Sequence, residues 1–120
     1  RAPPMGTNNA KLLPFTIPSG GGAGPRLDLT GLTALELLIP AGATTADITA
    51  EIAHLEAGPW GVFTGEDGKV WTVPDVPEST CVRFDERSFQ DIKYLRFLYG
   101  SQGSDVDCTL KVLPMSRVLR

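Results

Sequence analysis

The sequence predicts an all-β protein, an antiparallel β-sandwich of jelly-roll type with an extended N-terminal arm. Three observations carry that prediction. Along Val106-Asp107-Cys108-Thr109-Leu110-Lys111-Val112 apolar and polar residues alternate strictly, as a strand with one buried face requires. Gly65-Glu66-Asp67-Gly68 separates two runs of aromatic and β-branched residues, the pattern of a hairpin whose tight turn needs positive φ. From Leu27 onward, short apolar runs are stopped at regular spacing by Gly, Pro or Asp, which suits a sandwich or barrel.

The elements follow in order. Residues 1–26 contain Pro3, Pro4, Pro14, Pro18 and Pro25 and the run Ser19-Gly20-Gly21-Gly22-Ala23-Gly24. Such a composition assigns residues 1–26 to a flexible arm and residues 27–120 to the sandwich. Within the arm, Leu12-Leu13-Pro14-Phe15-Thr16-Ile17-Pro18 is confined by its prolines to an edge strand or an extended stretch. Two readings are open for it. It is the first edge strand of this domain, or it crosses to a neighbouring subunit and adds to that sheet, with Leu12, Leu13, Phe15 and Ile17 as the partner contacts.

Leu32–Ile39 reads as a strand stopped by Pro40. In Ile48–Leu55 a helix cap at Thr45-Ala46-Asp47 competes with a strand. Ile48, Ala50 and Ile52 share one face at period two, which predicts strand. Trp60–Thr64 and Lys69–Val73 form the arms of the hairpin, and Pro74–Glu78 reads as a loop. Thr80–Phe84 and Tyr94–Tyr99 are strands. Between them the corner Asp85–Phe89 places one aromatic among polar residues, positioned to plug an end of the sandwich.

The chain has 120 residues and a mass of 12.8 kDa, enough for one core without metal or disulfide support. A net charge of −3 and the absence of a basic stripe argue against nucleic acid or an anionic membrane as partner. No apolar run is long enough to span a bilayer as a helix, and the first 20 residues lack the apolar core of a signal peptide. Cys81 and Cys108 each fall inside a strand-like run. They read as two buried thiols rather than a cross-strand disulfide, as in a protein made in a reducing cytoplasm.

Candidate chemistry is sparse. His54 is the one histidine, and neither cysteine stands at zinc-ligand spacing from it. Asp105 and Asp107 share a strand face, and would need backbone carbonyls to hold calcium. No serine elbow occurs, and the glycine run leads into Pro25 rather than into a phosphate-binding helix. Trp60, Phe63, Trp71, Tyr94 and Tyr99 suit a core better than a sugar-stacking platform, given their strand spacing. No catalytic, metal-binding or cofactor-binding residues are expected.

Several stretches, in chain order, carry a family resemblance: Leu37-Leu38-Ile39-Pro40, Thr45-Ala46-Asp47, Gly58-Pro59-Trp60-Gly61-Val62-Phe63 and Gly65–Val73. Phe84–Phe89, Lys93–Ser101 and Thr109–Leu113 continue it. Together they resemble a family of small tailed-bacteriophage virion proteins with a jelly-roll or β-sandwich body, over about Thr33 to Leu113. The resemblance implies a virion structural protein made in the bacterial host cytoplasm. Most concretely it implies a capsid decoration, or cement, protein on the outside of the shell. Its partners would be the major capsid protein and neighbouring copies of itself. Closed symmetry suits capsid axes, so a homo-oligomer is expected, a trimer in the first instance. The alternative is a carbohydrate-binding module of a tail or fibre protein, with Trp60 and Trp71 as its platform.

Overall fold

The computed structural model describes residues 10–65, 67–85, 89 and 92–114. Among the described residues nine strands follow one another: β1 (Lys11–Ile17), β2 (Leu27–Asp28), β3 (Leu32–Ile39), β4 (Ala46–Ala53), β5 (Gly61–Val62), β6 (Val73–Val76), β7 (Thr80–Arg83), β8 (Tyr94–Tyr99) and β9 (Val106–Pro114). Their antiparallel ladders are nested, β1 with β9, β2 with β8, β3 with β7 and β4 with β6. The chain is therefore a long two-stranded ribbon doubled back near the Thr64–Val70 bridge. Rolling that ribbon brings β9 onto β3 and β8 onto β4. Two sheets result, β1-β9-β3-β7 and β2-β8-β4-β5, with β6 also on β4. This is the connectivity of a jelly roll.

The core lies between the sheets and follows the pleat. Val106, Cys108, Leu110 and Val112 of β9 point inward with Leu37 and Ile39 of β3, facing Ile48 and Ala50 of β4 and Leu95, Phe97 and Tyr99 of β8. One irregularity decides which residues of β3 join them. The register shifts between Ala34, paired with Val112, and Glu36, paired with Lys111, so Leu35 is an extra residue. At strict period two, Glu36 would follow Ala34 into the core. The bulge turns it outward and leaves Leu37 and Ile39 facing in.

Phe89, fully buried, plugs one end as the corner pattern predicts. Its ring meets Phe63 at 5.1 Å, Phe84 at 4.9 Å and Trp71 at 5.2 Å. The corner residues 86–88 lie outside the described residues. Gln102 pins loops together with a buried side chain. Its Nε2 donates to the carbonyls of Thr44 and Tyr99 at 2.9 Å, while its Oε1 accepts from the Thr44 N–H at 2.6 Å. The Tyr99 hydroxyl donates to the Val76 carbonyl at 2.7 Å. Buried polar groups are satisfied here in the way a dry interior demands.

Three points refine the expectations. First, Lys11–Ile17 takes the first of its two readings, an edge strand of this domain's own sheet, paired from Lys11↔Val112 to Ile17↔Val106. Packing therefore begins before residue 27, because Phe15 and Ile17 find core positions and Pro14, lacking an N–H, is tolerable on an edge. Residues 1–9 of the proposed arm lie outside the described residues. Second, Val73–Val76 is a strand rather than a loop. Pro74 sits on an edge opposite an irregularity in β4, where a missing donor costs little. Third, the Gly65–Gly68 turn forms, with Gly68 N donating to Gly65 O at 3.0 Å and Trp71 N to Phe63 O at 2.9 Å. Its first arm, however, also pairs with β4 through Gly61 and Val62.

The pleat sets a mutational contrast. Leu110→Ala, at a fully buried site between β1 and β3, is expected to cost about 2–5 kcal/mol in urea unfolding. Leu12→Ala, 61% exposed one ladder away, is expected to change stability by no more than about 0.5 kcal/mol. Equal losses at the two sites would contradict the inward and outward assignment.

Candidate partner-contact surface

The four residues singled out as partner contacts are divided by the alternation of β1. Ile17 and Phe15 are buried, and the Phe15 ring stacks on Phe97 with centroids 6.0 Å apart. Leu13 packs, half-buried, against the same core. Leu12 points to the opposite face. Its neighbour on that face, Thr16, donates from Oγ1 to Asp107 Oδ1 at 2.7 Å.

The outer face of the four-stranded sheet gathers cross-strand rows that the sequence did not reveal. One row is Leu12, Lys111, Glu36 and Arg83, and the next is Pro14, Thr109, Leu38 and Cys81. Leu38 is 39% exposed, so apolar side chains stand on this face beside charged ones. Arg83 Nε reaches Glu36 Oε2 at 3.3 Å, and Cys81 Sγ donates to Glu36 Oε1 at 3.6 Å. The Arg83 bond is the main cause holding the Glu36 carboxyl below its usual range. The pair is solvated, so its value lies in fixing side chains rather than in stability. Only the register of three strands plus the bulge at Leu35 assembles these residues, and no local motif announces them.

On the outer face of the other sheet, Arg96 binds Glu51 at 2.6 Å and lies 4.2 Å from the Trp60 ring centroid. Arg26 reaches Glu56 at 3.1 Å and lies 5.4 Å from the Tyr94 ring. One face of Trp60 is thus taken by a guanidinium. Trp71 belongs instead to the Phe63, Phe84 and Phe89 cluster. The structure does not unite the two tryptophans in one platform.

The remaining candidates are dispersed. His54 is exposed on the loop after β4. Asp105 accepts from the Ser19 N–H at 3.0 Å, and Asp107 is bound to Thr16. Among the described residues no group of three His, Cys, Asp or Glu side chains is placed to hold a metal ion.

The cysteines depart from expectation. Cys108 is buried on the inner face of β9, whereas Cys81 is exposed on the outer face of β7. With β3 between their strands and their side chains on opposite faces, they are not a disulfide pair. Burial pushes the Cys108 thiol up to about 11, and burial followed by the neighbouring Glu36 raises that of Cys81.

This two-sheet roll of nine described strands gives the chain the architecture of a jelly roll. No family model matches the sequence, and no curated protein matches it. Among solved structures, the crystal structure of the SPBc2 prophage-derived protein YomS has a similar fold, with a TM-score of 0.57. The superposition covers 91% of this chain and 98% of that one at 13% sequence identity, so the likeness is one of fold.

Iodoacetamide at pH 8 is expected to label Cys81 in buffer and Cys108 only in denaturant; labelling of both in buffer would contradict this burial. A pH effect follows from Cys108, whose folded value of about 11 lies above the 9.0 of an unperturbed thiol. The neutral thiol's contribution is intact below pH 9, where neither state ionises, and is lost as pH rises from 9 towards 11. Urea midpoints should therefore fall over that window more steeply for the wild-type chain than for Cys108→Ala.

Proposed function

We propose that this chain is a structural protein of a bacteriophage particle, and specifically a decoration protein that binds the outside of the capsid shell and stabilises contacts between capsid subunits. The observation that carries the reading is the fold shared, over nearly the whole of both chains, with a prophage-derived protein. The sequence resemblance from about Thr33 to Leu113 supports the same origin independently of that superposition.

The physical requirements of the role agree with the architecture. A jelly roll with a filled core is a rigid block, and ladders on both sides of β3, β4, β8 and β9 resist deformation. The outward face bearing Leu12, Pro14 and Leu38 beside Lys111, Glu36 and Arg83 offers apolar area with charges that fix orientation. Individually modest contacts suffice, because copies arrayed on a shell act together. In this reading the protein is not an enzyme, and its partners are the major capsid protein and other copies of itself. A glycan-binding role is less favoured, since Arg96 covers a face of Trp60 and Trp71 lies in the aromatic cluster.

The test is the copy number of this polypeptide in purified particles, by quantitative mass spectrometry. Abundance on the scale of the major capsid protein is the expected result, with particles lacking the protein rupturing at lower temperature. A few copies per particle would move it to the tail, and absence would end the virion reading.

A further inference from the structure

We propose that β1 is exchanged between copies of this chain, so that in the assembled state Lys11–Ile17 of one copy lies on β9 of the next. The proposal rests on the particle-subunit reading, in which copies stand side by side at high local concentration. It names the partner of the edge strand as a second copy of the same chain.

Three observations support it. First, β1 is the outermost strand of its sheet and its ladder is made with β9 alone. No strand outside that ladder has to break when β1 leaves. Second, every contact of β1 is transferable. The Phe15–Phe97 stack, the Thr16–Asp107 bond and the burial of Ile17 are recreated unchanged when the same strand arrives from a neighbour. The balance between closed and exchanged forms then falls on the connector and on association entropy, and clustering reduces the latter. This is why strand exchange is a low-cost route to oligomers.

Third, the connector is built to open. With Gly24 held to the body, the free part of the connector is Pro18 to Ala23, six residues that extended reach at most about 20 Å, so exchange is between copies in direct contact. Gly24 is the fixed end of the connector. Its N–H donates to the Phe97 carbonyl at 2.8 Å, and a Cβ there would stand 2.9 Å from Ile17 Cδ1. The pivot therefore lies between Pro18 and Ala23, and opening it releases two bonds, from the Ser19 N–H to Asp105 Oδ1 at 3.0 Å and from the Gly20 N–H to the Gln102 carbonyl at 2.9 Å. There Gly20 and Gly21 hold φ near 86° and 89° in the closed path, and Gly20, Gly21 and Gly22 are all exposed. Glycine adopts both this conformation and an extended one without a steric penalty.

A disulfide placed across the ladder reads the answer directly. Thr16 and Asp107 are exposed register partners, so Thr16→Cys with Asp107→Cys, in a Cys81→Ser background, cross-links β1 to whichever β9 it occupies. Mild oxidation followed by non-reducing electrophoresis should give covalent dimers if exchange is reciprocal, or closed trimers if each strand passes to the next copy. A monomer band with both thiols consumed overturns the proposal, whatever mass light scattering assigns to the native chain. Free thiols remaining at positions 16 and 107, apart from the native Cys108, overturn it too, because β1 would then lie on no β9. A wild-type chain that scatters as a monomer at every concentration is equally fatal. None of these results alters the copy number in particles, so failure of strand exchange is distinguishable from failure of the virion reading.

Discussion

The burial of β9 on one face, with ladders on both its edges, is the constraint on which the rest of the roll depends. Its four inward side chains, Val106, Cys108, Leu110 and Val112, are each exposed by 3% or less. They can be so only if β1 and β3 flank the strand and the second sheet closes over it. The first and last described strands are thereby made neighbours. The rolled ribbon follows, since joining β1 to β9 leaves each successive pair of strands nested inside the previous one. The largest single source of stabilisation, apolar burial between the sheets, is thus inseparable from the least local contacts in the sequence.

Against that frame, small departures from regularity assign the surfaces. One extra residue, Leu35, keeps a carboxylate out of the core and delivers it to a row with Lys111 and Arg83. A buried, unpaired Glu36 would carry a desolvation penalty of several kcal/mol. The bulge converts that liability into an exposed, oriented charge. Gln102 and Tyr99 act similarly at the sandwich end, satisfying polar groups that the closing loops bury.

The same geometry links fold to the proposed role. A central strand cannot be released without dismantling two ladders, whereas an edge strand is held by one. In this chain the edge strand that sits on β9 is also the one that follows a proline-rich start and precedes a glycine-rich connector.

Much of the fold was legible in the sequence because it is written in short-range patterns. Alternation in β9 and β8, Pro40 after β3 and the Gly65–Gly68 turn each report a local preference that the fold respects. The prolines marked Leu12–Ile17 as an edge strand or an extended stretch, but composition left open which sheet it joins, since it says how a segment behaves alone and not what core it can reach. Pro74 misled for the same reason, because tolerance of proline depends on whether a strand lies at an edge. The outward rows of the four-stranded sheet and the opposite orientations of Cys81 and Cys108 were not legible at all. Local pattern was enough to show that the chain makes strands, and which side chains along most of them share a face. Only the tertiary structure decided which strands are edges, which register they adopt and which charges meet, because those depend on contacts between residues as far apart as Lys11 and Val112.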